Sequence, residues 1–122
     1  MDKSQALNSF WSSFGLPAYD VNSVPTDAAM PYITYETAVD SIESVLNLQG
    51  NIWYRQISWA DASKKADEIS EYLYGIWPVT KKIDGGRMFI TKGTPFAQRM
   101  GDDDDMIKRI VINIQVEFLT AF

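Results

Sequence analysis

Hydrophobic and polar residues alternate most regularly near the end of the chain. Ile110, Ile112, Ile114, Val116 and Phe118 fall on one side of an extended segment, and Arg109, Val111, Asn113, Gln115 and Glu117 on the other. Side chains alternate across a strand, so this period of two predicts one dry face and one wetter face. A strand over 107–118 is about twice the usual length of five or six residues. It is long enough to cross a sheet and to receive helices on its apolar side.

Two segments follow a helical period instead. Over residues 2–14, Leu7, Phe10, Trp11 and Phe14 share one face, Asp2 and Gln5 have capping-box spacing, and Gly15 followed by Pro17 ends the pattern. The stripe predicts docking on the core, or alternatively on a neighbouring subunit. Over 59–74, Trp59, Ala62, Ala66, Ile69 and Leu73 recur at three-four spacing, with Ser58 as cap, Asp61 in the first turn, and Gly75 and Pro78 as terminators. The alanines permit close approach to a sheet.

The rest predicts strands and loops. Residues 15–30 lack a period and read as a long irregular connection. A strand over 32–40 and another over 52–58 form an antiparallel pair, with turns at 40–44 and at Gly50-Asn51. Residues 45–48 either extend the second strand past a bulge or form an apolar loop tip. Val79–Ile83 and residues 87–91 flank Asp84-Gly85-Gly86, a tight-turn signal. Residues 92–95 break the pattern, and 96–106 read as a loop. The expected fold is therefore α+β: one domain over 1–122, a mainly antiparallel sheet with two helices packed on one face.

Composition narrows the chemistry. At 122 residues the chain suffices for one core, and 13% aromatic content supplies ample area to bury. There is no Cys and no His, which removes disulfides, the commonest zinc ligands and the Ser-His and Cys-His nucleophile pairs. A net charge of −5 offers no basic stripe for nucleic acid, and Arg55 beside Trp53 and Tyr54 is thin support for base stacking. The first residues lack a basic segment followed by an apolar one, so no signal peptide is expected, and no apolar run is long enough for a membrane-spanning helix. Asp102, Asp103, Asp104 and Asp105 lack the alternating ligands, central glycine and terminal Glu of a calcium loop and read as a solvated acidic loop. Asp84-Gly85-Gly86 lacks phosphate-loop spacing. Glu36, Glu43 and Glu117 are carboxylates that nothing in the sequence ties together. No catalytic, metal or cofactor-binding residue is assigned.

What stands out is apolar character on both faces of the strands. Such a sheet, with helices on one side, leaves the other side for another subunit, and closed rings of one repeated contact are one use. Tyr32, Trp53, Tyr54, Arg55, Phe96 and Arg99 are the expected interface residues, with Trp53 and Tyr54 as anchors, because aromatic residues and Arg dominate interface energies.

Residues 10–19 (FWSSFGLPAY), 31–35 (PYITY), 53–59 (WYRQISW), 65–69 (KADEI), 90–99 (ITKGTPFAQR), 109–113 (RIVIN) and 117–119 (EFL) together resemble, in order, small structural proteins from the morphogenesis region of long-tailed phages and prophages of Gram-positive bacteria. Those proteins are similar to tail terminators and tail-to-head joining proteins. Residues 40–49 fall outside the resemblance. It implies a sheet on two helices, a six-fold ring that caps the tail tube and meets the head connector or completion protein, and a place in the virion after assembly in the host cytoplasm. It also implies that Asp102 to Asp105 face the DNA channel. Another head-completion or minor tail component, and a monomeric host-directed binding module, remain the alternatives.

Overall fold

The structure, a computed structural model, describes residues 1–37, 45–74 and 78–120. Chain order is α1 (Lys3–Ser12), β1 (Ala18–Asp20), β2 (Tyr32–Tyr35), β3 (Val45–Arg55), α2 (Ala60–Tyr72), β4 (Val79–Ile83), β5 (Gly86–Met100) and β6 (Ile107–Thr120). The strands form one sheet in the order β1-β2-β3-β6-β5-β4, antiparallel except for the β1–β2 pair. The long alternating strand, β6, is central and pairs along most of its length with β3 on one side and β5 on the other. Its even-numbered residues from Ile110 to Val116 are buried, as the period of two requires.

Both helices cover that face. α1 begins with the predicted capping box: Asp2 accepts from the Gln5 N–H at 2.8 Å, and Gln5 accepts from the Asp2 N–H at 2.9 Å. Gly15, at φ 81°, turns the chain out of the helix. α1 packs against β1 at one sheet edge and β4 at the other. Six strands span about 24 Å at ~4.8 Å per spacing, whereas a ten-residue helix is only about 15 Å long. The sheet therefore curls around α1, and the helices occupy its concave side. The Asn8 amide donates to Ala18 O at 3.3 Å and to the Tyr35 hydroxyl at 2.9 Å, and the Asp84 N–H donates to Met1 O at 2.8 Å. These bonds tie the middle of α1, and the residue just before its cap, to opposite edges of the sheet.

α2 lies beside it over β3, β5 and β6, burying Ala62, Ala66, Ile69 and Leu73. Its cap differs slightly from expectation. Trp59 is the N-cap and makes no side-chain cap bond, while the Ser58 hydroxyl accepts from the Ala60 N–H at 3.0 Å. Lys65 Nζ donates to Phe14 O at 2.6 Å and joins the two helices' layers.

Four local expectations are corrected. The irregular connection contains β1, three residues whose partner is β2 in parallel register, too short a strand to show a period. Gly50-Asn51 is not a turn: β3 runs through it from Val45 without a register break, and the strand read as 52–58 ends at Arg55. The reason is Trp11, whose Cη2 lies 2.5 Å from where a Cβ on residue 50 would stand. Glycine there is a seat for an indole. The strand read as 32–40 ends at Tyr35, and the expected turn at 40–44 and Gly75 lie outside the described residues.

The fourth correction concerns β5. It continues through Gly93 and Pro95 to Met100, so residues 96–100 are strand and not loop. Register passes from Lys92↔Ile114 to Ala97↔Ile112, so four residues on β5 stand against Asn113 alone. This bulge absorbs Pro95, which has no N–H to offer a ladder. The Asn113 amide donates to Pro95 O at 2.8 Å, and a Cβ on Gly93 would meet Asn113 at 2.9 Å. The bulge also reverses which residues face the helices: Ile90 and Lys92 before it, Ala97 and Arg99 after.

Gly50→Ala is expected to lower stability by about 1–3 kcal/mol through overpacking, read as a lower denaturant midpoint. In a Trp11→Phe background the same change is expected to cost less. Equal costs in both backgrounds would mean that the indole is not what requires glycine.

Candidate functional site on the outer face of the sheet

The side of the sheet away from the helices carries a band of rings built by cross-strand register. Tyr32 stands opposite Trp53, and Trp53 opposite Arg109. Tyr19 on β1 meets Tyr32 edge-on with centroids 5.8 Å apart, Tyr32 meets Trp53 at 6.4 Å, and the Arg109 guanidinium lies 5.2 Å from the Trp53 centroid. Trp53 Nε1 donates to the Thr34 hydroxyl at 2.9 Å, which fixes the indole orientation. Thr34 and Val111 are buried on this face although neither described helix covers it. Each ring contact is worth about 0.5–1.5 kcal/mol beyond area burial, so the band is a rigid surface that loses little entropy on meeting a partner.

Within the band, two polar atoms are buried without partners, Arg109 Nε and Asn51 Oδ1. Arg109 has no carboxylate within ion-pair distance among the described residues.

At the opposite end of β6 the same face forms a groove of about 290 Å³ with Val45, Pro78, Phe89 and Leu119 as apolar wall and Glu117 as its carboxylate. Val45 and Leu119 are 44% and 51% exposed at its rim. Among the described residues no His, Cys, Asp and Glu side chains are grouped to hold a metal ion.

The predicted interface residues separate. Tyr32 and Trp53 come together in the band. Tyr54 points to the other face and is buried under α2, so it is core and not an outer anchor. Burial first, then the charges of Asp61 and Glu68, raise its hydroxyl pKa above 10.0. Phe96 sits half-buried in the bulge with Lys92 Nζ 5.3 Å from its ring. Arg99 lies on the helix side, 4.9 Å from the Trp59 ring, and donates to the Ser63 hydroxyl at 3.3 Å. Nothing in the sequence singles out Tyr19 or Arg109 as interface residues. Tyr19 lay in an aperiodic stretch, while Arg109 was visible as the charged start of the polar face of β6.

No protein-family model and no curated protein matches the sequence. Among solved structures, a chain described as the virion of a native gene transfer agent (GTA) particle shares this fold. The TM-score is 0.63, the identity 16%, and the match covers 95% of this chain and 96% of that chain. At that identity the likeness is one of fold.

The acidic run is organised by its own backbone. Asp104 accepts from the Met106 N–H at 2.9 Å and from Arg55 Nη1 at 3.0 Å, and Asp102 accepts from the Asp104 N–H at 3.0 Å. Lys108 Nζ donates to Asp105 O. Asp102, Asp103 and Asp105 are exposed, while Asp104 turns toward β3. The Met106 N–H, followed by Arg55 and Lys108, holds the Asp104 carboxyl below its ordinary 3.8. A depressed carboxyl stabilises the fold fully above its unfolded-state value and loses that contribution as pH falls through the folded one. Asp104→Asn is therefore expected to melt below wild type at neutral pH, with the gap closing as pH drops below about 3.8. A gap of constant size across that range would assign the effect to hydrogen bonding alone.

Proposed function

We propose that this chain is a structural subunit of a phage-like virion, a tail terminator that caps the tail tube and joins tail to head. The observation that carries this reading is the fold likeness to a chain from a gene transfer agent virion, which runs almost end to end in both proteins. Support comes also from the ordered sequence resemblance and from a sheet with helices on one side and a rigid aromatic band on the other. The role works by binding. It asks for a ring of copies, probed as a hexamer, one surface for the tube and one for the head connector or completion protein. The ring assembles in the host cytoplasm and stays in the virion at the head–tail interface. In that ring the exposed carboxylates of Asp102, Asp103 and Asp105 face the channel, where like charge limits sticking of a phosphate backbone.

Two measurements test the reading. Light scattering from dilute to concentrated protein, with negative-stain imaging, is expected to give a hexamer with a central hole. Added to polymerising tail-tube protein, the chain is expected to stop elongation at amounts far below one per tube subunit. Tubes that lengthen unchanged, with protein monomeric throughout, overturn the reading and fit the monomeric binding module instead. Replacing Asp102, Asp103 and Asp105 together by Asn is expected to slow DNA release from assembled particles without changing ring mass; normal release removes the channel assignment.

A further inference from the structure

The outer face holds an unmatched pair. Arg109 is a half-buried cation against the Trp53 ring with no anion beside it among the described residues, and its Nε is buried without a partner there. Glu117 is a half-buried carboxylate in a groove of Val45, Pro78, Phe89 and Leu119 with Thr91 and Gln115 beside it, and among the described residues it has no hydrogen bond or ion pair. Both belong to β6 and point to the same side of it. Charges set in apolar surroundings without a counter-charge are costly, and each here lacks what the other supplies.

The pair cannot close within one molecule. Eight residues of strand separate the two, about 26 Å at ~3.3 Å per residue, and a paired strand does not fold back on itself. Two molecules can close it. The ring band at one end of β6 then meets the groove walls Val45, Phe89 and Leu119 of another copy, which supplies the apolar contact that surrounds a buried ion pair in stable interfaces.

We infer that the outer face is a self-association surface in which Arg109, on its aromatic band, pairs with Glu117 in the groove of a second copy of this chain. Charge selects that occupant. The chain has 16 acidic and 11 basic residues, so copies repel unless a cation is placed against a carboxylate at the contact, and like-charge juxtaposition is strongly disfavoured. The contact joins two different patches. Every copy therefore offers both halves on one face of β6, so two copies can make the pairing in both directions. This inference deepens the proposed role by naming the contact between its subunits.

Charge reversal tests it by analytical ultracentrifugation of the whole chain. Wild type is expected to self-associate. Arg109→Glu and Glu117→Arg are each expected to associate at least about tenfold more weakly alone, because each sets like charges face to face. Mixed in equal amounts, the two variants are expected to recover assembly, since every contact then joins opposite charges. The double variant R109E/E117R is expected to recover it as well. Circular dichroism and melting temperature check that each variant is folded. If Arg109→Glu unfolds, the neutral pair Arg109→Gln and Glu117→Gln is used; each is expected to associate more weakly alone, and their mixture to recover in part, because Arg109 of one variant still meets Glu117 of the other.

Wild-type association by both single variants, or no recovery in the mixture, overturns the inference, as does a wild type that stays monomeric at every concentration. Tube length is scored separately. Normal capping of tubes by both reversed variants removes the pair and leaves the terminator reading in place. Rescue in the mixture by a protein that never caps tubes removes the terminator reading and leaves the pair.

Discussion

The contact on which the rest of the fold depends is the indole of Trp11 on the bare backbone of Gly50. With no side chain at that position, the ring descends onto β3 and is fully buried. It brings α1 down onto the middle of the sheet, while hydrogen bonds at Ala18 and Asp84 hold the two edges to the same short helix. A sheet wider than the helix that it must reach across can satisfy both demands only by curling. α2, with Ala62 and Ala66 on its inner face, then fills the concavity that remains.

That arrangement sorts the two faces of β6 by task. Its inner residues, Ile110 to Val116, are held between the helices and the sheet and carry no charge. Its outer residues carry Arg109 at one end and Glu117 at the other, with Asn113 holding the β5 bulge between them. β3 and β5 both pair with β6 at these two positions. Their surroundings come from neighbours on other strands: Trp53, Tyr32 and Tyr19 around Arg109, and Phe89 and Val45 around Glu117.

What could be read from the sequence was what is decided locally. The capping box of α1, the alanine stripe of α2, the Asp84-Gly85 turn and the alternation of β6 each need only a few neighbouring residues, and each is present. The misread segments are those whose conformation a distant partner sets. Gly50-Asn51 has the composition of a turn, and only Trp11, far away in sequence, makes it strand. Gly93 to Pro95 looks like a break, and the Asn113 amide turns it into a bulge. The site behaves likewise. Tyr32 and Trp53 were recognisable as exposed aromatics on strands, but the band is a property of register across four strands. Tyr19 and Arg109 join it only once that register is known. Tyr54 was misjudged for the simplest reason: adjacent residues on a strand face opposite ways, so Trp53 and Tyr54 could not both lie on the outer face.

The bulge in β5 has a consequence for solubility. β4 pairs with β5 only as far as Ile90, and no other described strand pairs with β5 on that side, so its far half runs on toward Met100 as an open border. An open, regular border is a template on which stray strands of other chains can grow, and proteins that leave one straight tend to aggregate. Here the border is interrupted where it begins: Pro95 withholds a donor, the four-against-one kink spoils the spacing, and Arg99 places a charge beyond it. Backbone-driven stacking is thereby blocked along this border. Contact between molecules is left to side-chain chemistry, which can be selective in a way that a bare peptide border cannot.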